Sequence, residues 1–232
     1  MNHLFILPVL FLTLLVGNPA SADFQKGFDA YERGDYATAL REFRPLAKQG
    51  NAGAQNNLGV MYEKGQGVSQ DDKTAVKWYR FAAEQRFAIA QYNLGLIYRK
   101  GQGVPQNYKT AVKWYKLAAE QGVALAQTSL GVMYGKGRGV PQNDKTAVKW
   151  YEIAAEQGFA IAQYNLGLMY HKGQGVPQDY VRAHMWYNLA TSQGDRNATE
   201  NRDIVAKKMT PADVSKAKDL ARECVKKNYK GC

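Results

Sequence analysis

Between Phe87 and Gly122 the apolar residues fall on two helical stripes. Ala90, Leu94, Ile97 and Tyr98 recur at spacings of three and four, and so do Ala111, Trp114, Tyr115, Ala118 and Ala119, each set covering one face of a helix. The stretch between them, KGQGVPQN, is polar and full of breakers. Gly101 can take the left-handed conformation that ends a helix, Gly103 loosens the turn, and Pro105 cannot continue a helix. Asn107 can then accept a backbone N–H as N-cap of the second helix, a place filled by Asp71, Asn143 and Asp179 elsewhere in the chain. The pattern predicts helix–turn–helix units, and nothing in it reads as a strand.

The units repeat. The four tryptophans, Trp78, Trp114, Trp150 and Trp186, stand 36 residues apart, each inside a nearly identical neighbourhood. A period in this range marks stacked supersecondary units that bury their apolar faces only against one another. The units run over residues 51–86, 87–122, 123–158 and 159–194. Residues 23–50 match with a shortened connector and form a capping helix pair, because the end unit of an array has one face without a neighbour. Beyond Gly194 the period stops, and residues 195–232 hold two further helices, Ala198 to Met209 and Pro211 to Lys227, the second opened by Thr210 as N-cap. The expected fold is an all-α solenoid of antiparallel helix pairs with helical end caps. Each first helix carries a mid-helix glycine, Gly59, Gly95, Gly131 or Gly167. A glycine there costs about 1 kcal/mol relative to alanine, so its recurrence calls for a close helix–helix approach, shared with Ala54, Ala75, Ala82 and Ala83 and their counterparts.

The first residues and the charge alter this picture. Residues 1–22 carry no Lys, Arg, Asp or Glu; an apolar run from Leu4 to Val16 is followed by Ala20-Ser21-Ala22, the pattern of a signal peptide cleaved after Ala22. The run is too short to cross a bilayer core, which needs about 20 residues. The expected location is therefore periplasmic or secreted. With 31 basic against 20 acidic residues the net charge is +11, which favours anionic envelope components over nucleic acid as partners of an exported chain. The C-terminal segment is the most basic. The two cysteines, Cys224 and Cys232, are expected to pair; a bridge over so short a loop contributes roughly 2–3 kcal/mol. No histidine or cysteine spacing suits a metal, and no cofactor motif is present: Gly-Gln-Gly-Val lacks the remainder of a dinucleotide or phosphate loop.

The strings AQYNLGLIYRKGQGVPQ and AVKWYKLAAEQG resemble the Sel1-like repeat, a relative of the tetratricopeptide repeat. The resemblance covers residues 51–194 in four copies and residues 23–50 more loosely; Arg86 in place of Gly and Ser69 in place of Pro are departures. It implies a right-handed superhelix whose first helices line a groove, and a role as an adaptor that holds proteins or peptides, with exported members tied to envelope functions. In the related repeats an Asn before Leu-Gly of the first helix can reach the backbone or a carboxylate of a bound peptide. Asn57, Asn93 and Asn165 match that place, and Ser129 departs from it.

The candidate binding residues are therefore Asn57, Asn93 and Asn165, whose amides both donate and accept, with Tyr92 and Tyr164 beside them and the variable Arg99 and His171 before the connector. The tryptophans and the tyrosine after each are expected in the core. Lys73, Lys77, Lys109, Lys113, Lys145 and Lys149 form repeating stripes that read as a solvated outer face. Catalysis is not expected, because a repeat supplies like groups many times where an active site needs unlike groups once. The alternatives are a cell-wall or β-lactam-interacting protein, resting on Ser215 and Lys218 in an S-x-x-K pattern without its partner motifs, and an electrostatic binder of anionic polymers.

Overall fold

A computed structural model describes residues 19–232, so the apolar run of the predicted leader lies outside the described residues. Among the described residues there are twelve helices and no strand. They are α1 (Pro19–Glu32), α2 (Tyr36–Lys48), α3 (Ala52–Lys64), α4 (Asp72–Glu84), α5 (Ala88–Lys100), α6 (Tyr108–Glu120), α7 (Ala124–Gly135), α8 (Asp144–Ala155), α9 (Ala160–Lys172), α10 (Tyr180–Ser192), α11 (Arg196–Ala206) and α12 (Pro211–Lys226). Pro19 to Ala22, the end of the predicted leader, opens α1. From α1 to α11 each helix packs on its neighbours in sequence, which makes a solenoid, and α12 turns back to pack on α10.

The local signals work as the residues suggest. Asp71, Asn107, Asn143 and Asp179 each accept the backbone N–H three residues on, at 2.9–3.1 Å. The connector's second glycine has a use beyond flexibility. A Cβ on Gly103 would stand 2.6 Å from the backbone of Asp72 in the preceding unit, and Gly175 meets Asp144 in the same way. The connectors are thus laid directly on the helix before them.

The mid-helix glycines are packing devices. A Cβ on Gly59 would lie 2.6 Å from the ring of Tyr79, and one on Gly167 2.7 Å from Tyr187; Gly95 and Gly131 face Tyr115 and Tyr151 likewise. The tyrosine ring of each second helix lies in the gap left by the missing side chain, and the seam alanines around it are buried. The tryptophans behave differently from the expectation. Trp78, Trp114 and Trp150 are only partly buried, each packing against the preceding unit's core, while Trp186 is buried. The reason is α12: it closes over α10, burying Met185 and Leu189, whose places in α4, α6 and α8 are held by exposed Lys77, Lys113 and Lys149 and by exposed Phe81, Leu117 and Ile153. Cys224 and Cys232 are bridged, with Cα atoms 5.3 Å apart. The tail beyond α12 returns to the array, where Gly231 N–H donates to Glu156 Oε1 at 3.1 Å.

Candidate functional site

Three successive first helices, α5, α7 and α9, frame a cleft of about 200 Å³. Tyr92, Leu96 and Arg99 line it from α5, Leu125, Thr128, Ser129, Val132 and Met133 from α7, and Ile161 and Asn165 from α9, with Phe159 at its edge. Leu125 is 41% exposed and Ile161 51%; Ile89 holds the same place in α5 and is 42% exposed. Apolar side chains in one register on consecutive helices make a row that is open to a partner.

Of the residues expected to bind, Tyr92, Arg99 and Asn165 meet in this cleft, and Asn57, Asn93, Tyr164 and His171 do not line it. Asn93 Nδ2 donates to Asn56 Oδ1 at 3.0 Å, and Asn56 Nδ2 donates to Asn57 Oδ1 at 3.3 Å, so these amides bind one another across α3 and α5. Tyr164 packs against Tyr187, with ring centroids 5.9 Å apart. His171 Nδ1 stands 3.4 Å from the Tyr187 hydroxyl, and its ring meets Tyr180 edge-on. Burial, and then the charges of Lys208 and Lys172, hold its imidazole below the ordinary range.

The variable position before the connector therefore has a structural role. In three of the four units it stands by the hydroxyl of the buried tyrosine on the second helix. Glu63 Oε2 accepts from Tyr79 at 2.6 Å, His171 stands by Tyr187, Arg99 lies beside Tyr115, and Gly135 offers Tyr151 no side chain. Burial pushes all four phenols up, Tyr115 to about 12. The Tyr115 hydroxyl and Arg99 Nε are both buried without a hydrogen bond of normal geometry among the described residues.

A side-chain ladder went unnoticed in the sequence. Gln55, Gln91, Gln127 and Gln163 are buried, and each donates to a backbone carbonyl of the preceding second helix, Ala47, Ala83, Ala119 or Ala155, at 3.0–3.3 Å. Each also accepts, at 2.7–2.9 Å, from the glutamine that ends its own second helix, Gln85, Gln121, Gln157 or Gln193. One amide so ties three helices together. Its signal was the recurrence of Ala-Gln, and of the glutamine that ends each second helix, in step with the period, since a buried amide needs partners for both its functions.

The lysines of the predicted stripes are all exposed, as are Ser215 and Lys218 on α12. No group of metal-ligating residues occurs among the described residues, and no helix among them is long and apolar enough to cross a membrane.

The Sel1 repeat model matches residues 52–87, 88–123, 124–159 and 160–195. Among solved structures the chain is similar to c5321, a protective antigen of uropathogenic Escherichia coli displaying an SLR fold, at 35% identity and a TM-score of 0.82. That match covers 92% of this chain and 47% of the other, so the chain spans about half of its relative's length. A Sel1 repeat protein from Oxalobacter formigenes is similar at 40% identity and a TM-score of 0.72, covering 77% of this chain and 74% of the other. Immunity protein Pa5087 of Pseudomonas aeruginosa, at 22% identity and a TM-score of 0.54, covers 93% of this chain and 82% of its own and shares the fold. A comparison with curated proteins finds no match.

Proposed function

The chain belongs to the Sel1 repeat family, whose repeats are commonly protein-interaction scaffolds, and from that premise we propose that it is an exported, non-catalytic adaptor that holds a protein or peptide across its first helices. The observation that carries this reading is the cleft over α5, α7 and α9, where exposed apolar side chains in register flank Tyr92, Arg99 and Asn165. Apolar area supplies affinity and the few polar groups supply orientation. Residues 23–50 and 195–232 act as end caps in this reading, and residues 1–22 as the leader. The Cys224–Cys232 bridge supports an oxidising compartment.

The test is an affinity capture with the chain from Asp23 onward, followed by a comparison with a Tyr92→Ala/Asn165→Ala variant. The variant should keep its far-ultraviolet circular dichroism and lose the captured partner. Retention of the partner at unchanged affinity would place the site on another face. The exposed rows Lys77, Lys113, Lys149 and Lys73, Lys109, Lys145 favour a second, electrostatic contact with an anionic envelope component. Replacing Lys77, Lys113 and Lys149 with Gln should reduce retention on an anionic polymer and flatten its salt dependence.

A further inference from the structure

Four positions of α7 are smaller than their counterparts in both flanking first helices. Thr128 stands where α5 and α9 carry Tyr92 and Tyr164, Ser129 where they carry Asn93 and Asn165, Val132 where they carry Leu96 and Leu168, and Gly135 where they carry Arg99 and His171. Thr128, Ser129 and Val132 all line the cleft. The third unit therefore departs from the second and fourth on this face, and the void follows from the side chains that α7 lacks. At about 200 Å³ it is smaller than the roughly 300–1,000 Å³ of clefts that enclose a drug-sized molecule, so it suits a single side chain.

One polar group beside the void is unused. Arg99 lines the cleft with its Nε buried and unpartnered, and no carboxylate lies within ion-pair distance of its guanidinium among the described residues. The Tyr115 hydroxyl, on a fully buried residue behind the lining, interacts with Arg99 and Ser129 and so helps to hold Arg99 at the cleft. A buried donor such as Arg99 Nε costs stability when left empty, and a charged acceptor is what it fits.

We propose that this cleft is a recognition site for an apolar side chain adjoining a carboxylate, the aliphatic group entering between Leu96, Leu125, Val132 and Ile161 and the carboxylate accepting from Arg99. The inference rests on the adaptor reading and narrows it to the class of segment held. The carboxylate comes either from a chain end or from a neighbouring acidic side chain.

The test uses the isotope-labelled chain from Asp23 onward, titrated by NMR with N-acetyl-leucine, with its uncharged amide, and with N-acetyl-aspartyl-leucinamide. N-acetyl-leucine is expected to bind with a Kd of roughly 1–10 mM, shifting the amides of Leu96, Ser129 and Val132 and the Arg99 Nε–H. Its amide should bind at least about tenfold more weakly. The aspartyl peptide binding as well as N-acetyl-leucine assigns the carboxylate to a side chain, and its binding more weakly assigns it to a chain end. A Thr128→Tyr/Ser129→Asn variant, which copies the flanking units, should abolish the shifts, and Arg99→Gln, which keeps the shape, should erase the difference between acid and amide. Equal binding of acid and amide to the parent chain, or no shift at these residues, overturns the proposal. A captured protein retained by both variants overturns it too while leaving the adaptor role in place. Ligand shifts without any captured protein uphold the cleft and remove the adaptor role.

Discussion

Helix α7 holds two glycines one turn apart, and alanine at each should change stability in opposite directions. At Gly131 a Cβ would run into the ring of Tyr151, whose residue is 6% exposed and held in the seam. At Gly135 the nearest atom is the Ala147 Cβ at 3.7 Å, an ordinary contact. Alanine over glycine in a helix is favourable by up to about 1 kcal/mol, and neither residue has a positive φ that would penalise the exchange. Gly135→Ala, at the last position of the helix, should therefore stabilise by about 0.5 kcal/mol. Gly131→Ala gains the same propensity but must displace a rigid ring in a close-packed seam, which costs roughly 2–3 kcal/mol. The net expectation is a loss of about 1–2 kcal/mol. Because the same exchange is made twice, its effect on the unfolded chain largely cancels in the difference. Guanidinium unfolding followed by circular dichroism should separate the two variants by about 2 kcal/mol. Equal stabilisation by both would refute the claim that the recurring glycine exists to seat the tyrosine.

Arg86 has a φ of 65° where Gly122, Gly158 and Gly194 have 88°, 78° and 89°; Arg86→Gly should relieve that strain and raise stability by about 0.5–1 kcal/mol, read as an increased denaturation midpoint. His184 is buried under α12 with Nδ1 unpartnered, and burial, then Arg202 and Lys218, hold its imidazole below 6.5 against the weaker opposing pull of Asp203. The unfolded chain therefore binds the proton better, so stability should fall as pH drops through about 6.5 and level off below the folded value. His184→Val, the residue type of Val76, Val112 and Val148, should flatten that slope in melting curves between pH 8 and 5, with His171 supplying the remainder. Gln127→Ala removes the acceptor of Gln157 and the donor to Ala119; a loss of about 2–3 kcal/mol is expected, with faster amide exchange in α7 and α8 as the local readout. Exchange rates unchanged there would mean that the ladder does not tie the helices.

Short-range chemistry was readable without coordinates. The helix pairs follow from three- and four-residue spacing, the connectors from glycine and proline, the caps from Asp71, Asn107, Asn143 and Asp179, and the glycine-to-neighbour seam from a penalty that only close packing offsets. The bridge between Cys224 and Cys232 follows from their number and nearness. All of these depend on residues a few positions apart or on a period, and both are properties of the one-dimensional chain.

Other outcomes needed the stack. Trp78 and Tyr79 are neighbours about 100° apart on a helix, so the seam admits one of them, and only the packing of α4 on α3 selects the tyrosine. Trp186 is buried because α12 returns across α10, a contact that the repeat does not contain. Asn93 reaches Asn56 because units 36 residues apart place those amides within reach. Thr128 and Ser129 are visible as departures in any alignment of the units. That they open onto one void beside an unpaired arginine depends on where α5 and α9 stand, because a cavity is made by the relative placement of three helices and has no residue of its own.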